Sequence, residues 1–169
     1  MIPSVLEKLI KESTHDGNVN LKEITEFFNI RIELDRQMTD LCRIYICEED
    51  NKPVIKLSPN NDRKTKFTLV AIAIAEFILT PSRLEGEGIS YDMFFLKEIY
   101  HQRYSYRMML ATRLAVPEDI INQMDQPDFD MVSYVAESDY QPQFINCCVK
   151  DSSALFLLSN FSELPANAR

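Results

Sequence analysis

Lys66 to Thr80 reads KFTLVAIAIAEFILT and is the longest nearly uncharged run in the chain. Ala71, Ile72, Ala73, Ile74 and Ala75 alternate small and large as a strand would, yet the run outlasts an ordinary strand. Its three alanines favour a helix, Arg63, Lys64 and Lys66 come before its apolar turns, and Pro81 stops it just after Thr80. A helix that is apolar all round belongs in the middle of a domain.

Working outward, a small sheet precedes this helix. Ile30 to Leu34 alternates as a short strand, and so does Leu41 to Cys47, with Ile44 and Ile46 set against Arg43 and Tyr45. Glu48 to Lys52 is a polar hairpin turn, and Val54, Ile55 and Leu57 form the returning strand. Before the sheet, Val5, Leu6, Leu9 and Ile10 recur at helical spacing between Pro3 and Thr14. His15 to Asn18 is a turn, and Asn20 caps a second helix carrying Leu21, Ile24, Phe27 and Phe28.

After the central run, Pro81 to Ser90 holds two of the three glycines and reads as a flexible surface loop. Tyr91 to Ala115 has neither proline nor glycine, and its Phe94, Phe95, Ile99, Tyr106, Met109 and Leu110 fit one long helix. Short helices are predicted through Met124, from Phe129 to Glu137 and from Gln143 to Val149. The fold class is therefore α+β, mostly helical, with an antiparallel or mixed three-stranded sheet beside a central apolar helix. Residues 1–150 form one domain, and residues 151–169 form a tail with an apolar patch from Ala154 to Leu158.

Composition narrows the function. The chain has 169 residues, 46% of them hydrophobic and 26% charged, which is enough for one domain with a substantial core. A net charge of -8 weighs against broad contact with a phosphate backbone, although Arg103, Arg107 and Arg113 leave room for a local basic patch. Cys42, Cys47, Cys147 and Cys148 have neither CxxC spacing nor a secretory signal beside them, so packed thiols in a cytoplasmic protein are expected. No run reaches the length of a membrane span.

Lys66-Phe67-Thr68-Leu69-Val70 is similar to the opening of the metal-binding segment of the ImmA/IrrE metallopeptidases, which act on helix-turn-helix repressors in phages and mobile elements. Arg113-Leu114-Ala115-Val116-Pro117, with Ala111 before it, resembles the end of that family's following segment. Val132-Ser133 stands where the family has a similar phrase. The resemblance covers roughly residues 1–150 and implies a zincin-like minimal core. It also implies where the chemistry would sit: the first metal histidine falls on Ala71, the glutamate base on Ile72, the second histidine on Ala75 and the third ligand on Tyr104. The family asparagine falls on Met108.

HExxH works because i and i+4 place two imidazoles on one helical face beside a carboxylate that takes a proton from metal-bound water. Alanine and isoleucine supply no lone pair and no proton relay. The resemblance thus implies a pseudoenzyme with no metal and no cofactor, one that binds a protein partner such as a helix-turn-helix repressor in a bacterial host cell. Arg83, Glu85 and Glu87 in the loop, His101 and Tyr104 on the long helix, and Phe156 in the tail are the candidate contacts.

Two other function classes are compatible with a chain of this kind. A residual hydrolase needs protein-bound zinc or a reactive thiol, but His15 and His101 are the only histidines, and neither has a second histidine at helical spacing. A transcription regulator that binds DNA directly has the acidic balance against it. No GxGxxG, P-loop or nucleophile elbow is present.

Overall fold

The computed structural model describes residues 2–148, and the tail contacts expected beyond them, Phe156 included, lie outside the described residues. Helix α1 (Ile2–Glu12) leads into a two-stranded hairpin, β1 (Thr14–His15) and β2 (Asn18–Val19). Asp16 and Gly17 both take positive φ, 50° and 75°, which is the geometry a two-residue hairpin turn requires. Helix α2 (Leu21–Phe27) starts at Asn20, whose side chain accepts from the Lys22 amide, as expected of that residue.

Three of the next strands fall where alternation put them: β3 (Arg31–Leu34), β4 (Cys42–Ile46) and β5 (Pro53–Leu57). The β4–β5 turn closes with the Cys47 amide donating to the Lys52 carbonyl at 2.8 Å. Strand β3 runs parallel to β5, and β4 runs antiparallel to it.

The central run is a helix, α3 (Arg63–Leu79), begun by Asp62, which accepts from the Thr65 amide at 2.7 Å. Every residue from Thr68 to Ile78 is buried. The helix lies between the sheet, through β4 and β5, and helix α5 (Tyr106–Ala115). That sandwiched position is why its pattern is apolar all round, and each of Leu69, Ile72, Ile74 and Phe77 contributes about 1.5–3 kcal/mol by leaving water.

Two expectations are corrected. The sheet has four strands rather than three, in the order β3-β5-β4-β6, because β6 (Ile89–Tyr91) pairs antiparallel with β4. The segment from Pro81 is therefore no free loop. Pro81–Leu84 is a 3-10 turn with Leu84 fully buried, and Arg43 Nε donates to the Glu87 carbonyl. Gly88 makes the pairing possible: at φ 69° a Cβ there would meet the Ile44 carbonyl oxygen at 2.0 Å.

The long helix is also divided. Helix α4 (Met93–Ile99) passes into a 3-10 turn at Tyr100–Gln102, and α5 begins afresh after Ser105, which is extended and accepts from the Met108 amide. A serine whose hydroxyl caps a new helix competes with the backbone for that amide, so the helix breaks without proline or glycine. Helices α6 (Glu118–Gln123), α7 (Met131–Glu137) and α8 (Pro142–Ile145) follow within the described residues. Gln141 ties this end to α3, its amide donating to Thr68 Oγ1 and its Nε2 to Thr65 Oγ1.

About half of the described residues are helical, and the class is α+β with two small sheets. Among the described residues, no helix is long and apolar enough to cross a membrane.

Candidate partner-binding site

The positions singled out on α3 lie inside the core. Ala71, Ile72 and Ala75 are fully buried and offer only hydrocarbon. Tyr104 lies outside that core, in the turn between α4 and α5, 70% exposed with the Arg103 guanidinium 5.3 Å from its ring centre. Among the described residues, no group of three or more His, Cys, Asp or Glu side chains is placed to hold a metal ion.

One residue of the same helix escaped the sequence reading. Glu76 is 3% exposed, and its two carboxylate oxygens are divided between partners. Arg107 Nη1 reaches Oε2 at 2.8 Å; Thr80 Oγ1 donates to Oε1 at 2.8 Å, with Arg83 Nη1 3.6 Å away. A lone carboxylate in the last turns of an apolar helix was the available signal, because a buried charge demands a partner.

Around this pair an aromatic wall is assembled. Phe95 stacks on Tyr91 with ring centres 4.4 Å apart, and the Arg107 guanidinium lies 5.2 Å from the Phe95 ring. Tyr91 is fully buried, and burial, followed by the nearby Glu76 carboxylate, raises its phenol well above the ordinary tyrosine range. Its Oη and Arg107 Nε are buried without a hydrogen-bond partner among the described residues.

The cluster joins the Pro81 segment to the α4–α5 turn. Arg83, Glu85, Glu87, His101 and Tyr104, the five described contact candidates, are all exposed. Arg83 touches the cluster directly through Glu76. His101 and Tyr104 complete a surface stripe: Phe94, Lys97, His101 and Tyr104 follow one another at helical spacings of three, four and three, and all are exposed. The backbone stays helical as far as Arg103, with Tyr100 at φ -67°, ψ -21° and Arg103 at φ -54°, ψ -27°, and is extended at Ser105. Phe94 is 72% exposed. Spacing drew attention to Phe94 only as a helix-forming residue, since its outward direction depends on which face α4 buries, namely Leu96 and Ile99.

The basic patch entertained for Arg103, Arg107 and Arg113 is not an open one. Arg107 is taken up by Glu76, and Arg113 is buried beside Glu118 at 3.4 Å. The adjacent thiols are packed, as expected. Cys147 Sγ lies 3.2 Å from the Gln143 carbonyl, and burial raises both thiols, Cys148 to about 12, so neither forms a thiolate readily.

No protein-family model matches the sequence, no curated protein matches it, and no solved structure matches its fold.

Proposed function

We propose that this protein is a non-catalytic adaptor, a degenerate ImmA/IrrE-like pseudopeptidase on a zincin-like core that holds a protein partner without cutting it. The partner in this reading is a helix-turn-helix repressor of a phage or mobile element, met in the cytoplasm of a bacterial host. The observation that carries the binding role is the stripe from Phe94 to Tyr104, two large exposed aromatic side chains, one on α4 and one in the turn that follows it. Exposed aromatics grouped on a rigid element are the usual anchors of protein interfaces.

The buried core supports recognition without hydrolysis. Ala71, Ile72 and Ala75 are packed hydrocarbon, so the positions that hold a metal and a base in the resembled family are committed here to stability. The exposed Glu85 and Glu87 supply a negative rim suited to the basic face of a DNA-binding partner.

Affinity capture from the native host with the full chain as bait tests the reading. A DNA-binding regulator should be retained intact by the wild type and lost with the double substitution Phe94→Ala, Tyr104→Ala. Capture of no such regulator overturns the partner, and cleavage of a captured one overturns the non-catalytic role.

A further inference from the structure

A second surface lies on the opposite margin of the sheet and is independent of the aromatic stripe. Among the described residues strand β3 has one neighbour, β5, and its other side is a sheet edge. The Asp35 amide donates to the Leu57 carbonyl, so by strand alternation Arg31 and Glu33 direct their backbone groups to β5. Ile32 and Leu34 therefore direct their N–H and C=O groups outward. Ile30, of the same parity, already turns its amide away from β5, to the Thr25 carbonyl.

Proteins usually blunt such an edge with lysine, proline or a bulge. Here the side chains at the outward positions are apolar and open to solvent, Ile32 at 45% and Leu34 at 61%. Arg31 and Glu33, 2.8 Å apart, pair with each other on the other face and leave the edge clear.

Beside the edge runs a groove of about 520 Å³. Its apolar lining comes from Ile32 and Leu57 of the sheet, Phe67 and Val70 of α3, and Val19 and Leu21 before and within α2. Lys66 stands at the groove with no ion pair among the described residues, whereas His15 and Asp139 there are matched by Glu23 and Arg63. The unbalanced charge at the site is positive.

We propose that the β3 edge and this groove form a docking site for an extended peptide segment of a protein partner. The segment adds as a fifth strand, places apolar side chains at alternate positions into the groove, and brings an acidic residue to Lys66. Only a polypeptide backbone satisfies the row of outward donors and acceptors, and only alternate side chains of a strand reach one face. The charge at Lys66 selects the flank.

The probe is a short fluorescein-labelled peptide of alternating valine and threonine with aspartates at both ends, titrated against the full chain by fluorescence anisotropy. Saturable binding is expected. Leu34→Pro removes an outward amide without touching the β5 ladder and should weaken binding roughly tenfold or more. Lys66→Glu leaves the backbone intact and should weaken it about fivefold, with circular dichroism and melting temperature close to wild type in both.

Absence of saturable binding up to millimolar peptide overturns the proposal, as does equal affinity in wild type and both variants. Hydrogen exchange on the chain alone supplies the remaining outcomes. Protection of the Ile32 and Leu34 amides that persists on dilution means that the chain covers its own edge, and protection lost on dilution means a second copy does; either result overturns a partner peptide as the occupant.

Discussion

Glu76 and Arg107 form an ion pair at 2.8 Å between α3 and α5, with the carboxylate almost wholly removed from water. The Thr112 hydroxyl of α5 is buried as well, but it bonds within its own helix to the Met109 carbonyl. The pair fixes how α5 is seated along α3. It also faces the aromatic wall, since the Arg107 guanidinium lies 5.2 Å from the Phe95 ring, next to Phe94 of the exposed stripe.

Arg107→Met keeps most of the length of the side chain and removes the charge, leaving Glu76 buried with Arg83, 3.6 Å away and 65% exposed, as its remaining cation among the described residues. A loss of about 3 kcal/mol is expected, since stranding a buried charge costs far more than a pair is worth and an exposed arginine compensates little. Adding Glu76→Leu to Arg107→Met should restore most of it. Urea unfolding of the two variants decides the matter: a double variant no more stable than the single one contradicts a true buried ion pair.

Gly86 and Gly88 share the same φ of 69°, yet a Cβ meets nothing within 4 Å at Gly86 and the Ile44 carbonyl at 2.0 Å at Gly88. Gly86→Ala therefore carries only the left-handed penalty, about 1 kcal/mol. Gly88→Ala must also push β6 away from β4 and should cost at least about 2 kcal/mol more. Equal melting temperatures for the two variants would show that the β6 pairing contributes little.

Cys42 is fully buried, and burial holds its thiol far above the ordinary cysteine range. In the unfolded chain the same thiol ionises near pH 8.5. Because the folded pKa is the higher one, its contribution to stability is intact below about pH 8.5 and is lost as pH rises beyond it, at up to about 1.4 kcal/mol per pH unit. Cys42→Ala should flatten the decline between pH 8.5 and 10 relative to wild type in urea-midpoint measurements. Parallel pH profiles for the two proteins would refute the assignment.

Local signals were the readable ones. The alanines and Pro81 marked α3, Asn20 marked the start of α2, and the polar turn after Cys47 marked the β4–β5 hairpin, because each depends on residues a few positions apart. Strand β6 was hidden because three residues after a glycine become a strand only through pairing with Ile44, far away in sequence. The break before α5 was hidden because no proline or glycine marks it; Ser105 ends one helical stretch and caps the next only through its hydroxyl. The Glu76–Arg107 pair was hidden for the same reason as β6: its partners are 31 residues apart, and nothing local to Glu76 names Arg107.

Ala71, Ile72 and Ala75 allow a direct trial of whether the central helix can accept a metal site. If these positions framed an open cleft, the combined substitution Ala71→His, Ile72→Glu, Ala75→His would create HExxH and draw zinc into it. They are instead fully buried against α5 and the sheet, so two imidazoles and a carboxylate would have to be desolvated where no room exists for them or for water. The triple variant should therefore lose its cooperative unfolding transition, or fall by at least about 5 kcal/mol, with no zinc retained through gel filtration. A folded triple variant that holds one equivalent of zinc would show that the core opens on this side and that hydrolytic chemistry lies within reach of the fold.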